Sequence, residues 1–154
     1  MSKKTYLLLF VLLGACNQNN KPAYSFNRVS NEKRQGLHLE YFSDGNIKAL
    51  LNYHNDSLNG ESIYFYPNGV IKGKIQFVNN LENGMAYYFY PTGVIECYRE
   101  WKNGKKIRYA QDYYDTLGYV KAYMYYNGEG ALLWKNTVDI HGKVIKEEGK
   151  ENRL

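Results

Sequence analysis

The sequence predicts an all-β protein, an antiparallel meander of repeated β-hairpins. Three observations predict it. Gly36, Gly60 and Gly84 lie 24 residues apart, and Gly45, Gly69 and Gly93 keep the same spacing. Turn motifs recur within and between these units. Seventeen tyrosines supply most of the aromatic content, and a side chain with an apolar body and a polar tip suits a half-buried strand.

The chain opens with Lys3 and Lys4, followed by the apolar run Leu7-Leu8-Leu9-Phe10-Val11-Leu12-Leu13. That run is far shorter than the roughly 18–20 residues that span a bilayer. It has the length of a signal-peptide core. The next residues, Leu13-Gly14-Ala15-Cys16, resemble the lipobox of bacterial lipoproteins. The resemblance implies cleavage before Cys16, acylation of that residue with palmitate-type chains, and display outside the cytoplasm. Each buried CH₂ of an acyl chain contributes about 0.8 kcal/mol, so several chains on one residue anchor stably.

The expected organisation is a signal peptide over 1–15, lipidated Cys16 with a flexible tether over 16–35, a repeat domain over 36–148 and a disordered tail over 149–154. The tether is read from its polar composition. Tyr24, Phe26 and Val29 alternate loosely with polar residues, and an extra strand is the alternative. The neutral stretch Asn17-Gln18-Asn19-Asn20 points to the periplasmic side of the cell membrane or outer membrane.

Removing Lys3 and Lys4 from 20 basic residues, against 15 acidic ones, leaves a net charge of +3. That is too mild for a nucleic-acid partner, and no dense basic patch interleaves with aromatics. Cys16 and Cys97 are the two cysteines. Lipidation of the first excludes an intrachain disulfide, and Cys97 is expected to be a small packing residue.

Each repeat closes on a turn: Ser43-Asp44-Gly45, Pro67-Asn68-Gly69 and Pro91-Thr92-Gly93. Proline pre-sets φ near about −65° and glycine supplies the left-handed residue. An apolar–charged pair follows each turn: Ile47-Lys48, Ile71-Lys72 and Ile95-Glu96. Degenerate copies continue at Gly118 with Val120-Lys121, and at Gly142 with Val144-Ile145. Gly118 comes one residue late, which marks an insertion in that turn. Between hairpins stand Asn55-Asp56, Asn79-Asn80, Asn103-Gly104 and Asn127-Gly128, read as two-residue turns.

A three-residue turn sets Tyr66 opposite Val70, Phe65 opposite Ile71, Tyr64 opposite Lys72 and Ile63 opposite Gly73. On one face a large residue then meets a small one: Leu39 and Ala49, Ile63 and Gly73, Tyr87 and Cys97. That face continues through Leu51, Tyr53, Ile75, Phe77 and Trp101, and Arg99 interrupts it. The other face sets Glu40 opposite Lys48, Tyr64 opposite Lys72 and Tyr88 opposite Glu96, and suits water.

These motifs, above all Tyr64-Phe65-Tyr66-Pro67-Asn68-Gly69 and Trp101-Lys102-Asn103-Gly104-Lys105, resemble the MORN repeat family in its bacterial, antitoxin-like variant. The resemblance covers about residues 36–130. It implies an elongated, single-layer, twisted sheet and no shared catalytic residue. It implies proteins that act as scaffolds, binders or neutralisers of a partner. Asn55-Asp56 and Asn79-Asn80 depart from the family's Asn-Gly, and the repeats after Gly104 lack the leading glycine.

Nothing in the sequence nominates a catalytic, cofactor-binding or metal-binding residue. His38, His54 and His141 lack metal-ligand spacing, and neither a Gly-x-Ser-x-Gly nor a phosphate loop appears. No enzyme activity and no cofactor are expected. Tyr64, Tyr66, Tyr88 and Tyr90 form the candidate partner-binding face, with Tyr98, Tyr123 and Tyr125 expected beside them. Cross-strand packing is the alternative role for these rings. The expected function is a membrane-anchored, non-enzymatic module that binds a protein partner, of the antitoxin or immunity kind. The alternative is a structural envelope protein that self-associates or binds wall polymer.

Overall fold

A computed structural model describes residues 27–30, 32–114 and 118–149. Cys16, the signal segment, the first part of the tether and the tail beyond Gly149 lie outside the described residues. The strands are β1 (Arg28–Ser30), β2 (Lys33–Tyr41), β3 (Ile47–His54), β4 (Ser57–Leu58), β5 (Gly60–Phe65), β6 (Ile71–Val78), β7 (Leu81–Phe89), β8 (Ile95–Lys102), β9 (Lys105–Tyr113), β10 (Val120–Tyr126), β11 (Leu132–Val138) and β12 (Val144–Gly149). They form one open antiparallel sheet, ordered as in the sequence, with short β4 paired only to β3. The predicted all-β meander of hairpins is the observed fold.

The sheet starts earlier than the boundary set at residue 36. β1 pairs with the first residues of β2, so Val29 lies in a strand rather than in the tether. Asn27 secures this end. Its N–H donates to Leu37 O at 2.8 Å, and its Oδ1 accepts from Leu39 N–H at 2.7 Å.

The turns inside the hairpins form as the Pro-Asn-Gly chemistry dictates. Tyr66 N–H donates to Val70 O at 2.8 Å and Gly69 N–H to Tyr66 O at 2.9 Å, with Gly69 at φ 83°. In the later turn Tyr114 N–H reaches Tyr119 O, one residue further, so the insertion before Gly118 is real. Between hairpins, Asn55 and Asp56 have φ 49° and 66°, Asn79 and Asn80 have 49° and 67°, and Asn103 and Gly104 have 50° and 75°. Loss of the second glycine leaves this turn unchanged because asparagine and aspartate tolerate the left-handed region.

Asn127-Gly128 does not make a two-residue turn. Asn127 N–H donates to Ala131 O at 3.0 Å, and Gly130, at φ 87°, is the left-handed residue. Asn127 Oδ1 accepts from Glu129 and Ala131 N–H at 3.0 and 2.9 Å. The side chain thereby wraps its own turn and makes it longer.

The predicted register holds for Phe65 and Ile71 and then fails. Tyr64 faces Gly73, not Lys72. Lys72 is the extra residue of a β-bulge, and Lys48 and Glu96 are its counterparts, since Glu40 faces Ala49 and Tyr88 faces Cys97. A slip of one residue exchanges the two faces of a strand. Leu39, Ile63 and Tyr87 therefore lie opposite Leu50, Lys74 and Tyr98, on the outer face. The core face buries Ala49, Leu51, Ser62, Ile75, Ala86, Ala110, Ala122 and Met124. Glu40, Tyr64 and Tyr88 share it.

Candidate functional site

Three rows of side chains cross the core face at right angles to the strands. In the first, Ala49, Tyr64, Gly73, Tyr88 and Cys97 are successive partners, a ring between every two small residues. A Cβ on Gly73 would stand 3.4 Å from Tyr88 Cδ1, so that ring lies on bare backbone. In the second, Ser62, Ile75, Ala86 and Arg99 form the corresponding line. In the third, Tyr53, Phe77 and Trp101 face Gly36, Gly60 and Gly84, whose φ values are 74°, 101° and 109°. The leading glycine of each repeat is thus a left-handed residue opposite an aromatic. Arg108, another 24 residues on, faces Tyr126 at φ 57°. It holds a glycine's conformation.

Against this repeat, Arg99 and Asp112 stand out. Arg99 occupies the place of Leu51 and Ile75, and Asp112 the place of Glu40, Tyr64 and Tyr88. Arg99 Nη2 donates to Asp112 Oδ1, and Nη1 donates to Tyr98 O at 2.7 Å and Gln111 O at 2.9 Å. The two side chains are 14% and 28% exposed.

An open, shallow depression beside this pair is lined by Glu82, Tyr88, Glu96, Cys97, Trp101 and Lys106. Tyr88 OH donates to Glu82 Oε1 at 3.3 Å. Burial lifts the Glu82 carboxyl above the usual range, and burial next to Glu82 lifts the Tyr88 phenol well above its own. Burial pushes the Cys97 thiol up to about 11, against a smaller opposing pull from Arg99. A thiol held protonated is a poor nucleophile and a poor metal ligand. Lys106 Nζ lies 5.6 Å from the Trp101 ring and 5.8 Å from the Tyr126 ring, within cation–π range. The cluster is a charged interruption in a packing face. It has no paired nucleophile and base.

The four predicted tyrosines all serve contacts within the sheet. Tyr66 OH donates to Phe89 O at 2.8 Å, and Tyr90 OH to Tyr113 O at 3.0 Å. Tyr114 OH repeats the bond to Val138 O at 2.9 Å. Each ties a turn to the end of a strand in the next hairpin. Tyr64 and Tyr88 are half-buried in the first row. Tyr98, Tyr123 and Tyr125 do not stand beside them. Tyr98 faces Tyr87 and Gln111, and Gln111 faces Tyr123, on the outer face. The bulges cause this exchange too.

Several exposed rings line up on the outer face of β7–β11. Tyr87, Tyr98, Gln111, Tyr123 and Asn136 are successive partners from β7 to β11. A second row holds Tyr109, Tyr125 and Trp134. Its neighbouring centroids are 4.7 and 6.3 Å apart, and the Tyr125 and Trp134 planes lie within 15° of parallel. Tyr109 is 61% exposed, and Tyr87 and Tyr123 are each 38% exposed. Sequence reasoning missed Tyr87, Tyr109 and Trp134. The signal available was the charged residue recurring after Ile47, Ile71 and Ile95, which marks a bulge.

The histidines stay apart. His38 meets the edge of Tyr53 at 5.2 Å, His54 contacts Asn55 at 3.3 Å, and His141 N–H bonds Asp139 within its own turn at 2.9 Å. Among the described residues no three of His, Cys, Asp or Glu group as metal ligands.

Comparison with known proteins agrees with the hairpin period. A family model described as a MORN repeat variant matches residues 34–55 and 58–79. No curated protein matches the chain. The chain is a β-hairpin repeat protein, suited to a binding or structural role, and two consecutive stretches of it match the MORN repeat variant.

Proposed function

We propose that the protein is a membrane-anchored, non-enzymatic binding module of the cell envelope. It is held by an acylated Cys16 and engages its partner through the aromatic outer face. The exposed rings of Tyr87, Tyr109 and Tyr123, contiguous with Tyr98, Tyr125 and Trp134, carry this reading. Such rings add contact area at low entropic cost, and a contiguous exposed patch of them marks an interaction surface. The tyrosines of the core face make packing contacts and cross-hairpin bonds, which favours the outer face over them. A protein partner of the immunity kind is one reading of that surface, and a wall polymer is the other.

Two measurements test it. Cys16→Ala should abolish uptake of labelled fatty acid and leave the precursor uncut; a labelled variant would overturn the anchor. In a strain producing the full-length chain, Tyr87→Ser with Tyr109→Ser should weaken cross-linking to envelope components about tenfold at an unchanged unfolding midpoint. Equal cross-linking at that midpoint would remove the outer face from the proposal.

A further inference from the structure

We propose that the two outer-face rows bind a neutral, extended polysaccharide, a β-linked pyranose chain lying across β7–β11. This rests on the outer face being the recognition surface, and it names the partner class. Three properties of the rows select it.

The first is ring geometry. Sugar rings present flat C–H faces, and aromatic faces stack on them without any charge. Tyr125 and Trp134 lie within 15° of parallel at 6.3 Å, and Tyr109 continues the row at 4.7 Å from Tyr125, tilted 54° from that ring and 66° from Trp134. A row that crosses a sheet advances about 4.8 Å per strand, so five positions make a track roughly 20 Å long. A track of that length suits a linear polymer.

The second is polarity. Gln111 stands between Tyr98 and Tyr123 and Asn136 ends the row, and both amides offer neutral donors and acceptors to hydroxyls. Tyr113 OH donates to Gln111 Oε1 at 2.8 Å, which leaves the Gln111 NH₂ group to donate outward. Neither row holds a charge. Arg108, beside them, is neutralised by Glu100 at 2.8 Å. Lys74 and Glu147 stand only beyond the two ends of the first row. An anionic polymer would find no line of cations here.

The third is shape. Protein-binding anchors work in desolvated pockets. The depression of this molecule opens on the core face, between Tyr88 and Trp101. The outer-face rings form an open line instead, which a chain can lie along.

The test uses the full-length lipoprotein in detergent micelles. Electrophoresis through gels containing hydroxyethyl cellulose, a neutral β-1,4-glucan, should retard it, and dextran, a flexible α-linked glucan, should retard it far less. Chitohexaose should compete. Added salt should leave the retardation unchanged, because no charges are involved. Tyr109→Ala and Trp134→Ala should each weaken retention about tenfold, while Tyr66→Phe on the core face should not. If Trp134→Ala unfolds, Tyr109→Leu, at a residue already 61% exposed, carries the comparison. Absence of retardation by hydroxyethyl cellulose together with no binding of chitohexaose overturns the proposal, as does retention equal to wild type in a folded Tyr109 variant. Should the Tyr variants lose cross-links to a protein while the wild type ignores every glycan, the partner is a protein. The glycan reading then fails and the binding-module reading stands. Loss of neither overturns both.

Discussion

Arg99 and Asp112 form an ion pair in rows where the earlier repeats set Leu51 or Ile75 beside a small residue or a tyrosine. The guanidinium also donates to two backbone carbonyls, of Tyr98 and Gln111. It thus makes three hydrogen bonds on a face whose corresponding positions in the earlier repeats are Leu51 and Ile75. Taking two charges partly out of water offsets much of their attraction, whereas stranding one of them is costly. Asp112→Ala should lower stability by about 2 kcal/mol. Arg99→Leu combined with Asp112→Tyr restores the residue types of the preceding repeats, and its unfolding midpoint should equal or exceed wild type. A double variant weaker than Asp112→Ala would show that the pair does more for the sheet than the repeat pattern implies.

Arg108 carries a different cost. At φ 57° it occupies the conformation that Gly36, Gly60 and Gly84 hold in earlier repeats. That region costs an ordinary L-residue roughly 1–2 kcal/mol, and the ion pair to Glu100 is too exposed, at 68% on the arginine, to return much. Arg108→Gly should raise the thermal midpoint by a few degrees. A fall in midpoint would mean that the ion pair and the arginine stem outweigh the backbone strain.

The turn tyrosines act as cross-hairpin ties. Tyr66→Phe and Tyr90→Phe keep the rings and remove only the bonds to Phe89 O and Tyr113 O. Each should cost about 1 kcal/mol in denaturant titrations. The two losses should add, because they join different pairs of hairpins. Wild-type stability in both variants would show that water replaces the hydroxyl at each carbonyl without loss.

Cys97 should be slow to alkylate. With its thiol pushed up to about 11 from an ordinary 9.0, the thiolate fraction at pH 8 is roughly a hundredfold below that of a free cysteine. Mass spectrometry of iodoacetamide-treated protein should show sluggish labelling when folded and rapid labelling in denaturant. Prompt labelling of the folded chain would place the thiol in water and contradict its position in the first row.

The sequence alone settled the hairpin period and most of its turns. Pro67-Asn68-Gly69 and Asn103-Gly104 encode their φ values within three residues, so no distant contact is needed to read them. The insertion before Gly118 was legible for the same reason. Asn127-Gly128 misled because two turn types compete there, and the Asn127 side chain, bonding two N–H groups beyond it, decides between them. The register, and with it the identity of the two faces, was decided only in the folded sheet. A bulge at Lys48, Lys72 and Glu96 leaves the alternation of the chain looking regular, yet it moves every following partner by one. Alternation reports which residues share a face within a strand, while pairing across strands reports which faces join. That is why Tyr64 and Tyr88 belong to the core, and why Tyr87, Tyr109 and Trp134, spread over three strands in sequence, form a surface only when the sheet brings them into line.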